Sequence, residues 1–286
     1  MKYLKSILFV YFLSLLVFSC TERIDIQLDD SYARLVVDGS ITTDTMIHTV
    51  ELRTTSSYYY NEPAPMVSGA HLSITDGTHT FTLKEDKAGV YQTDSAVYGI
   101  AGQTYILNIK LANAIGGHTD YSAVSTLNPI VPLDSVSLLF HPDWAKKGIW
   151  EVKCYVQEPP TIDFYRFLIL KNRMLLTDTL NEWFVTDDKF FNGNYTNGAT
   201  VAYLQQASAK EGLIPGDTVT VEVNSIGKDY YDFVTEAQTE LRGSNPLFSG
   251  PPANVKGNIN NGAVGFFAAY SVTHSYTLAP GRKSSK

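Results

Sequence analysis

The chain has 286 residues, with 22 lysines and arginines against 29 aspartates and glutamates, so its formal net charge is −7. This acidic balance excludes nucleic acid as an expected partner, because a surface that holds a phosphate backbone must be basic. Apolar residues make up 44% of the chain and aromatic residues 12%. That is enough to bury hydrophobic cores without a disulfide framework, for which two cysteines are too few.

The amino terminus has the features of a secretory signal peptide. Lys2 and Lys5 precede an apolar stretch at 7–18. This stretch has about 12 residues, whereas a membrane-spanning helix needs about 20. The segment is therefore predicted to direct export and to be removed.

The end of that segment is similar to the cleavage site of bacterial lipoproteins. Small Ser19 stands directly before Cys20. We predict that residues 1–19 are cleaved, that Cys20 carries lipid, and that residues 20–32 form a lipidated tether. An ordinary signal peptide followed by a chance cysteine is the alternative.

Residues 33–127 are predicted to form a first domain made of strands. Short runs rich in Val, Ile, Thr and Tyr alternate with turn residues, which is the pattern of a sandwich or barrel. Seven strands in this length fit an immunoglobulin-like or transthyretin-like sandwich. The predicted strands are 34–41, 47–54, 70–75, 78–84, 89–93, 104–110 and 119–126.

The clearest turn signal in this domain is Asp76-Gly77. Such a pair supplies the positive φ angles of a two-residue hairpin turn. The flanking strands then pair with Ile74 opposite His79, which places His79 on the apolar face of the hairpin.

A domain boundary is predicted where Asn128, Pro129 and Pro132 interrupt helix and strand alike. A second, β-rich domain at 134–278 follows, and the polar, basic residues 279–286 are predicted to be disordered. The predicted strands of the second domain are 135–140, 149–157, 164–172, 183–186, 200–205, 218–224 and 265–273.

One helix is predicted in the second domain, near 228–242. Tyr230, Val234, Ala237 and Leu241 recur at helical spacing along one face. This apolar stripe is interpreted as a structural contact with a neighbouring sheet.

Cys154 and the six histidines are interpreted as structural or surface residues. Cys154 shares an alternating apolar run with Trp150, Val152 and Val156, which places its thiol on a buried strand face. A buried inert thiol is favoured over a nucleophile, because no basic or histidine residue is its neighbour in sequence. The histidines are scattered without a ligand-like pair.

The glycine-rich segment at 258–265 is interpreted as a corner of the backbone. A phosphate-binding loop requires a following helix, whereas Phe266, Phe267 and Tyr270 indicate an aromatic strand. Glycine at such a corner relieves crowding.

Several short segments follow one another along the chain in a distinctive order. The most distinctive are NPLF at 245–248 and NINNGAVGFF at 258–267. The others are LVVDGSI at 35–41, VSGA at 67–70, DG at 76–77, Gly99, Gly102, TY at 104–105, LDSV at 133–136, FYRF at 164–167, GDTV at 216–219 and DYY at 229–231. Together they resemble a family of Bacteroidota lipoproteins known as domain of unknown function 4249. The resemblance implies an outer-membrane lipoprotein, commonly encoded near TonB-dependent receptors, and implies no particular ligand or catalytic residue.

The sequence contains no HExxH, GxSxG, GxxxxGK[ST] or GxGxxG motif. The six scattered histidines make the common general-base arrangements hard to assemble, so we expect a protein that is not an enzyme. A glycoside or peptide hydrolase is the less favoured alternative, because two carboxylates distant in sequence suffice for glycoside hydrolysis. That alternative fails if no two carboxylates share a cleft.

A loop with several oxygen ligands lies after residue 186. Asp187, Asp188, Asn192 and Asn194 offer ligand atoms for a structural Ca²⁺, and no other cofactor is expected. The spacing does not match the EF-hand pattern, and runs rich in Asn and Gly mostly form plain turns. The plain turn is therefore the favoured interpretation.

Exposed aromatic residues are the predicted ligand contacts. Tyr58, Tyr59 and Tyr60 cannot all enter one core, and Trp144 lies in a second loop. Flat exposed rings stack on sugar faces or on apolar surfaces of a peptide. Packing of these rings against their own loops is the favoured alternative, because scattered exposed aromatics are common.

These observations predict a non-catalytic lipoprotein that is anchored by lipid to the outer membrane of a bacterial cell. It is expected to bind a glycan, a peptide or another nutrient, or to dock on a TonB-dependent receptor, and so to assist uptake. A structural or adhesive envelope protein without a small-molecule ligand is the alternative. No signal after Cys20 assigns the periplasmic or the cell-surface side.

Overall fold

The computed structural model describes residues 33–56, 63–242 and 255–281. The predicted signal peptide, the lipidated tether with Cys20, and the three tyrosines at 58–60 lie outside the described residues. The described part of the chain contains no helix with the length and hydrophobicity of a membrane span.

The fold is mostly β and sandwich-like, as predicted, and its strands follow the alternation of buried and more exposed side chains. In β6, for example, Tyr105, Leu107 and Ile109 are buried, whereas the residues between them are not. The first seven strands are β1 (Leu35–Thr42), β2 (Thr49–Thr54), β3 (His71–Thr75), β4 (Thr80–Lys87), β5 (Val90–Gln92), β6 (Thr104–Ile115) and β7 (His118–Thr126).

The hairpin between β3 and β4 has a wider turn than predicted. Ile74 pairs with Phe81 and not with His79, so the predicted register was wrong. The Asp76 carboxylate accepts hydrogen bonds from the backbone N–H groups of Thr78 and His79, at 2.8 and 2.6 Å. These bonds stabilise a longer turn that includes His79, which is exposed and does not lie on the apolar face.

The second half supplies eight strands, a short 3₁₀ turn and one helix among the described residues. They are β8 (Ser135–His141), β9 (Ile149–Tyr155), β10 (Phe164–Lys171), β11 (Met174–Leu175), η1 (Leu180–Glu182), β12 (Phe184–Asp187), β13 (Ala199–Gln205), β14 (Thr218–Ile226), α1 (Lys228–Leu241) and β15 (Val264–Leu278). The sequence pattern missed β11, because two residues are too few to show a period. Ala279 is 4% exposed and its N–H donates to the Asp217 carbonyl at 2.8 Å, so Ala279 belongs to the fold and not to the predicted tail.

Strand β15 joins the two halves of the chain. Its first part pairs in parallel with β1, and its second part pairs antiparallel with β14. The main sheet has the order β11-β10-β14-β15-β1-β2-β5-β4-β3-β6-β7, with β12 beside β10, and a smaller sheet has the order β13-β9-β8. The described residues from Ala33 onward form one compact unit, and the predicted boundary at 127–134 lies within it.

Buried side chains form three clusters. The first lies among β1–β7 and the first part of β15, and includes Leu107 and Phe267. The second lies between the smaller sheet and strands β10 and β14 of the main sheet, and includes Trp150 and Val221. The third, around Phe266, lies between β15 and α1. Successive residues of β15 point to opposite faces, so this strand is buried on both sides where it joins the halves.

Helix α1 confirms the predicted helix but turns a different face inward. Val234 is fully buried and Gln238 is 7% exposed, whereas Leu241 is 60% exposed. The amide Nε2 of Gln238 donates to the carbonyl oxygens of Leu180 and Trp183, at 2.8 Å each. These bonds satisfy a buried polar group. Gln238 therefore faces inward and Leu241 does not, so the prediction of an inward Leu241 was wrong.

Gly265 lies at a close approach of β15 to β1. Its φ is +98°, and a Cβ atom at this position would stand 1.9 Å from the Val37 carbonyl oxygen. We expect Gly265→Ala to lower the free energy of unfolding by more than about 1 kcal/mol, because the backbone angle and the contact both oppose a side chain. Urea denaturation measures this loss.

Gly262→Ala is the matched control for that substitution. Gly262 also has a positive φ, +74°, but a Cβ atom added there would meet nothing within 4 Å. The Gly262→Ala variant should therefore lose less unfolding free energy than the Gly265→Ala variant. Equal losses would show that the contact with Val37 has no effect of its own.

Candidate functional site

An opening lies between the main sheet and the smaller sheet in the second half of the chain. In the described residues, β12 pairs only with β10, and β13 pairs only with β9, so each strand has an unpaired edge. Phe184 of β12 and Thr200 and Val201 of β13 line the same space. We call this space the seam.

Two adjoining cavities occupy the seam. One has a volume of about 150 Å³ and the other of about 370 Å³. Phe167, Phe184, Thr200 and Val201 line both of them. The smaller cavity also has carboxylates in its wall, including that of Glu158, and we call it the acidic cavity.

Cys154 lies in the wall of the acidic cavity. It is 2% exposed, and burial raises the pKa of its thiol to about 12. The thiol is therefore protonated near neutral pH and is a poor nucleophile, in agreement with the interpretation of a buried inert cysteine.

Three carboxylates meet at one end of the acidic cavity. Glu158 follows β9, Asp163 directly precedes β10, and Asp188 directly follows β12. One oxygen from each of the three lies within 4.8 Å of the other two. We call these residues the acidic cluster. Among the described residues, they form the group of carboxylates that could hold a metal ion.

The acidic cluster is held by hydrogen bonds to its neighbours. Tyr165 donates to Oε1 of Glu158 at 2.5 Å, and Thr161 donates to Oδ2 of Asp163 at 2.6 Å. The backbone N–H of Asp188 donates to the Asp163 carbonyl at 3.2 Å. The side-chain oxygen Oδ2 of Asp188 is buried and has no hydrogen-bond partner.

The electrostatics of the cluster are unfavourable for the charged form of Glu158. Burial raises the pKa of Glu158; the hydrogen bond from Tyr165 opposes this shift, and the charges of Asp163 and Asp188 add to it. In the described part of the chain, no ion pair involves any of the three carboxylates. Such an arrangement attracts a proton or a cation.

The predicted calcium loop contributes one residue to this cluster. Asp188 belongs to it, whereas Asp187 pairs with Lys189 at 2.5 Å. The amide Nδ2 of Asn192 donates to the Thr161 carbonyl at 2.7 Å, and that of Asn194 donates to the Asn192 carbonyl at 2.9 Å. These two amides stabilise the loop, as the plain-turn interpretation requires.

Sequence reasoning missed Glu158 and Asp163. They lie about 25 to 30 residues before the loop, beyond the range of any ligand-spacing pattern. The available signal was the turn between them, where Pro159 and Pro160 stand between two acidic residues.

Exposed aromatic side chains lie in the loops after β8 and β12. Trp144 is 47% exposed and stacks on His141, with 3.7 Å between ring centroids and an interplanar angle of 7°. Its contact with its own loop agrees with the favoured alternative for this residue. Phe190, which is 89% exposed, and Phe191, which lines the acidic cavity, were not predicted as ligand contacts.

A buried arginine is the neighbour in sequence of Phe167, which lines the seam. Arg166 of β10 is 4% exposed, and its Nε donates to Oδ1 of Asn224 at 2.8 Å. Its guanidinium lies 4.5 Å from the centroid of the Trp183 ring and 4.7 Å from that of Tyr270. Its position between rings and beneath Tyr230 of α1 indicates a structural role.

Comparison with known proteins gives one family assignment. A family model described as Domain of unknown function (DUF4249) matches residues 21–275. The search of curated proteins found no match. A chain from the structure titled "Cytokine receptor complex - Crystal form 1A" is 12% identical, and the match covers 88% of this chain and 98% of that chain with a TM-score of 0.24. At this TM-score the likeness supports neither a shared fold nor a shared function.

Proposed function

We propose that this chain, which belongs to the family described as Domain of unknown function (DUF4249), is a non-catalytic envelope lipoprotein that holds a ligand in the seam. The observation that carries the proposal is the pair of adjoining cavities between two unpaired strand edges. Small-molecule sites are concave, mostly apolar and typically about 300–1,000 Å³ in volume. The two cavities together reach that range.

The lining of the seam supports a neutral or cationic ligand with an apolar face. Phe167, Phe184 and Val201 provide apolar contact area, and the acidic cluster repels anions. The exposed ring of Phe191, which lines the acidic cavity, adds to this surface and can stack on a sugar or a peptide side chain. A glycan or a peptide therefore fits this lining better than a phosphorylated nutrient.

We further propose that lipid on Cys20 anchors the protein to the outer membrane and that it delivers its ligand to a TonB-dependent receptor. The family match begins directly after Cys20, at residue 21. The lipoprotein-like cleavage site supports the anchor. The receptor is a proposal that comes from the resemblance described above.

A hydrolase is the second candidate, because Glu158 and Asp188 line the same cavity. However, these residues are only 5% and 3% exposed. The carboxylates of a glycosidase must flank the glycosidic bond of a bound sugar, whereas these two are buried and adjacent, with oxygens within 4.8 Å of each other. This geometry favours binding over hydrolysis.

Growth of a deletion strain on single nutrients tests the proposed function. Ala202 lines the larger cavity, and we expect Ala202→Trp to fill it. The strain complemented with this variant should fail on the same single nutrient as the deletion strain, because the ligand no longer fits. The matched control is Ala112→Trp, an exposed position of β6 far from the seam, which should restore growth.

Two outcomes would contradict the proposal. Normal growth of the deletion strain on every nutrient, with altered adhesion or envelope integrity, would support the structural alternative. Full restoration by Ala202→Trp on a nutrient that requires the protein would show that the seam is not the binding site.

A further inference from the structure

The acidic cluster is assembled from two segments that are fixed to one another: the connection between β9 and β10, which carries Glu158 and Asp163, and the loop after β12, which carries Asp188. The Glu158 N–H donates to the Asn194 carbonyl at 3.0 Å, and the Gly193 N–H donates to the Pro159 carbonyl at 3.1 Å. Pro159 and Pro160 each have a restricted φ, which limits the movement of the turn between Glu158 and β10. The three carboxylates are therefore held together by the fold and do not depend on chance side-chain positions.

The charge of this cluster has no protein counterion in the described residues. Glu158 is 5% exposed and Asp188 is 3% exposed. Asp187, the neighbouring acid, has its own lysine partner in Lys189. Burial of an ionised carboxylate without a counterion destabilises the native state, so a cation bound at this point would offset that cost.

One oxygen in the cluster lacks any donor. Tyr165 and Thr161 donate to the other two carboxylates, but Oδ2 of Asp188 has no hydrogen-bond partner. Buried polar atoms nearly always have a partner. A buried oxygen without a donor, inside a group of carboxylates, fits the role of a ligand to a cation.

We propose that Glu158, Asp163 and Asp188 bind one Ca²⁺ ion, which links the turn after β9 to the loop after β12. Oxygens within 4.8 Å of one another can surround one ion with little movement, because the Ca²⁺–O distance is about 2.3–2.6 Å. The ligands are all oxygens, which excludes a preference for zinc or copper. Mg²⁺ is usually held by one or two carboxylates and several waters, so three carboxylates at a largely buried position favour Ca²⁺.

The proposed Ca²⁺ site lies at the wall of the acidic cavity. Glu158 and Asp188 both line that cavity, and the loop that follows Asp188 carries Phe190 and Phe191. Binding of Ca²⁺ therefore fixes the loop at one end of the seam. This inference concerns the ion alone and holds whichever ligand the seam takes.

Calorimetry and thermal unfolding of the mature protein in detergent micelles test the proposal. After removal of metals with a chelator, added CaCl₂ should bind with a stoichiometry of one and raise the melting temperature, whereas NaCl at equal ionic strength should not. Asp188→Asn and Glu158→Gln should each abolish the heat of binding and the thermal shift. Asp187→Asn is the matched control, because Asp187 lines the same cavity but pairs with Lys189, and it should retain both.

The variants are expected to fold without the ion. Either variant removes charge repulsion, so it can be as stable as the chelated wild type or more stable, and the thermal assay stays interpretable. Absence of Ca²⁺ binding to the folded wild type would overturn the proposal. Equal loss of binding in Asp187→Asn would also overturn it, because the ligand set would then be a different one.

Discussion

A Cys20→Ala variant is expected to lose all covalently bound fatty acid. In the proposed lipoprotein, the acyl chains on Cys20 hold the chain to the membrane. Each buried methylene of such a chain contributes about 0.8 kcal/mol, and two or more chains make attachment effectively permanent. Metabolic labelling with a palmitate analogue, followed by mass spectrometry of the amino-terminal peptide, measures the modification.

Cys154→Ala is the matched control, since the chain has two cysteines. Cys154 is buried and its thiol is protonated, so its removal should leave the label unchanged. Mass spectrometry of the native protein provides the decisive result. An unmodified residue 20, or a retained leader, would show that the protein is not a lipoprotein.

An Arg166→Ala variant is expected to lose about 3 kcal/mol of unfolding free energy. The substitution removes the donor to Asn224 and leaves a cavity between the Trp183 and Tyr270 rings. Buried acceptors without donors and a new cavity both destabilise the native state. Tyr230 of α1 also loses a bond to the guanidinium, so the packing of the helix on the sheet should weaken.

Urea denaturation, followed by tryptophan fluorescence and circular dichroism, measures this loss. Arg166→Lys should lose less unfolding free energy than Arg166→Ala, because lysine retains the charge. It should still lose some, because lysine lacks the planar group that stacks on the rings. Arg173→Ala is the matched control, since Arg173 is an exposed residue in the turn after β10. A loss below about 0.5 kcal/mol for Arg166→Ala, the range of ordinary surface substitutions, would show that this arginine is not a structural element.

Local sequence patterns, namely short runs rich in Val, Ile, Thr and Tyr between turn residues, were sufficient to predict every strand except β11. In β6, for example, the pattern is local and each inward residue contributes independently to burial. Helix α1 was predicted for the same reason. The inward position of Gln238 was not, because its bonds go to Leu180 and Trp183, which are distant in sequence.

The hairpin shows how a local signal can mislead. Asp76-Gly77 favours a two-residue turn, but the Asp76 carboxylate binds two backbone N–H groups further along the chain. These competing side-chain bonds lengthen the turn and shift the strand register. The sequence pattern identified the turn correctly but not its length.

The acidic cluster illustrates a limit of spacing patterns. The sequence indicated Asp188 as an oxygen ligand within a loop of its own, with Asn192 and Asn194 as companions. The fold instead places it beside Glu158 and Asp163, because the Asp188 N–H pairs with the Asp163 carbonyl next to β10. A site that combines residues of the β9–β10 connection with a residue of the loop after β12 cannot be predicted from the spacing within one loop.

The sequence by itself determined the mostly β character of the chain, the position of helix α1 and a cysteine content too low for a disulfide framework, whereas the lipid attachment at Cys20 stays a prediction. All of these depend on composition or on neighbours within a few residues. The tertiary structure alone decided the parallel pairing of β1 with β15, the seam between β12 and β13, and the acidic cluster. These features depend on contacts between residues distant in sequence, where many alternative pairings satisfy the same local pattern and the packing of the whole chain selects one.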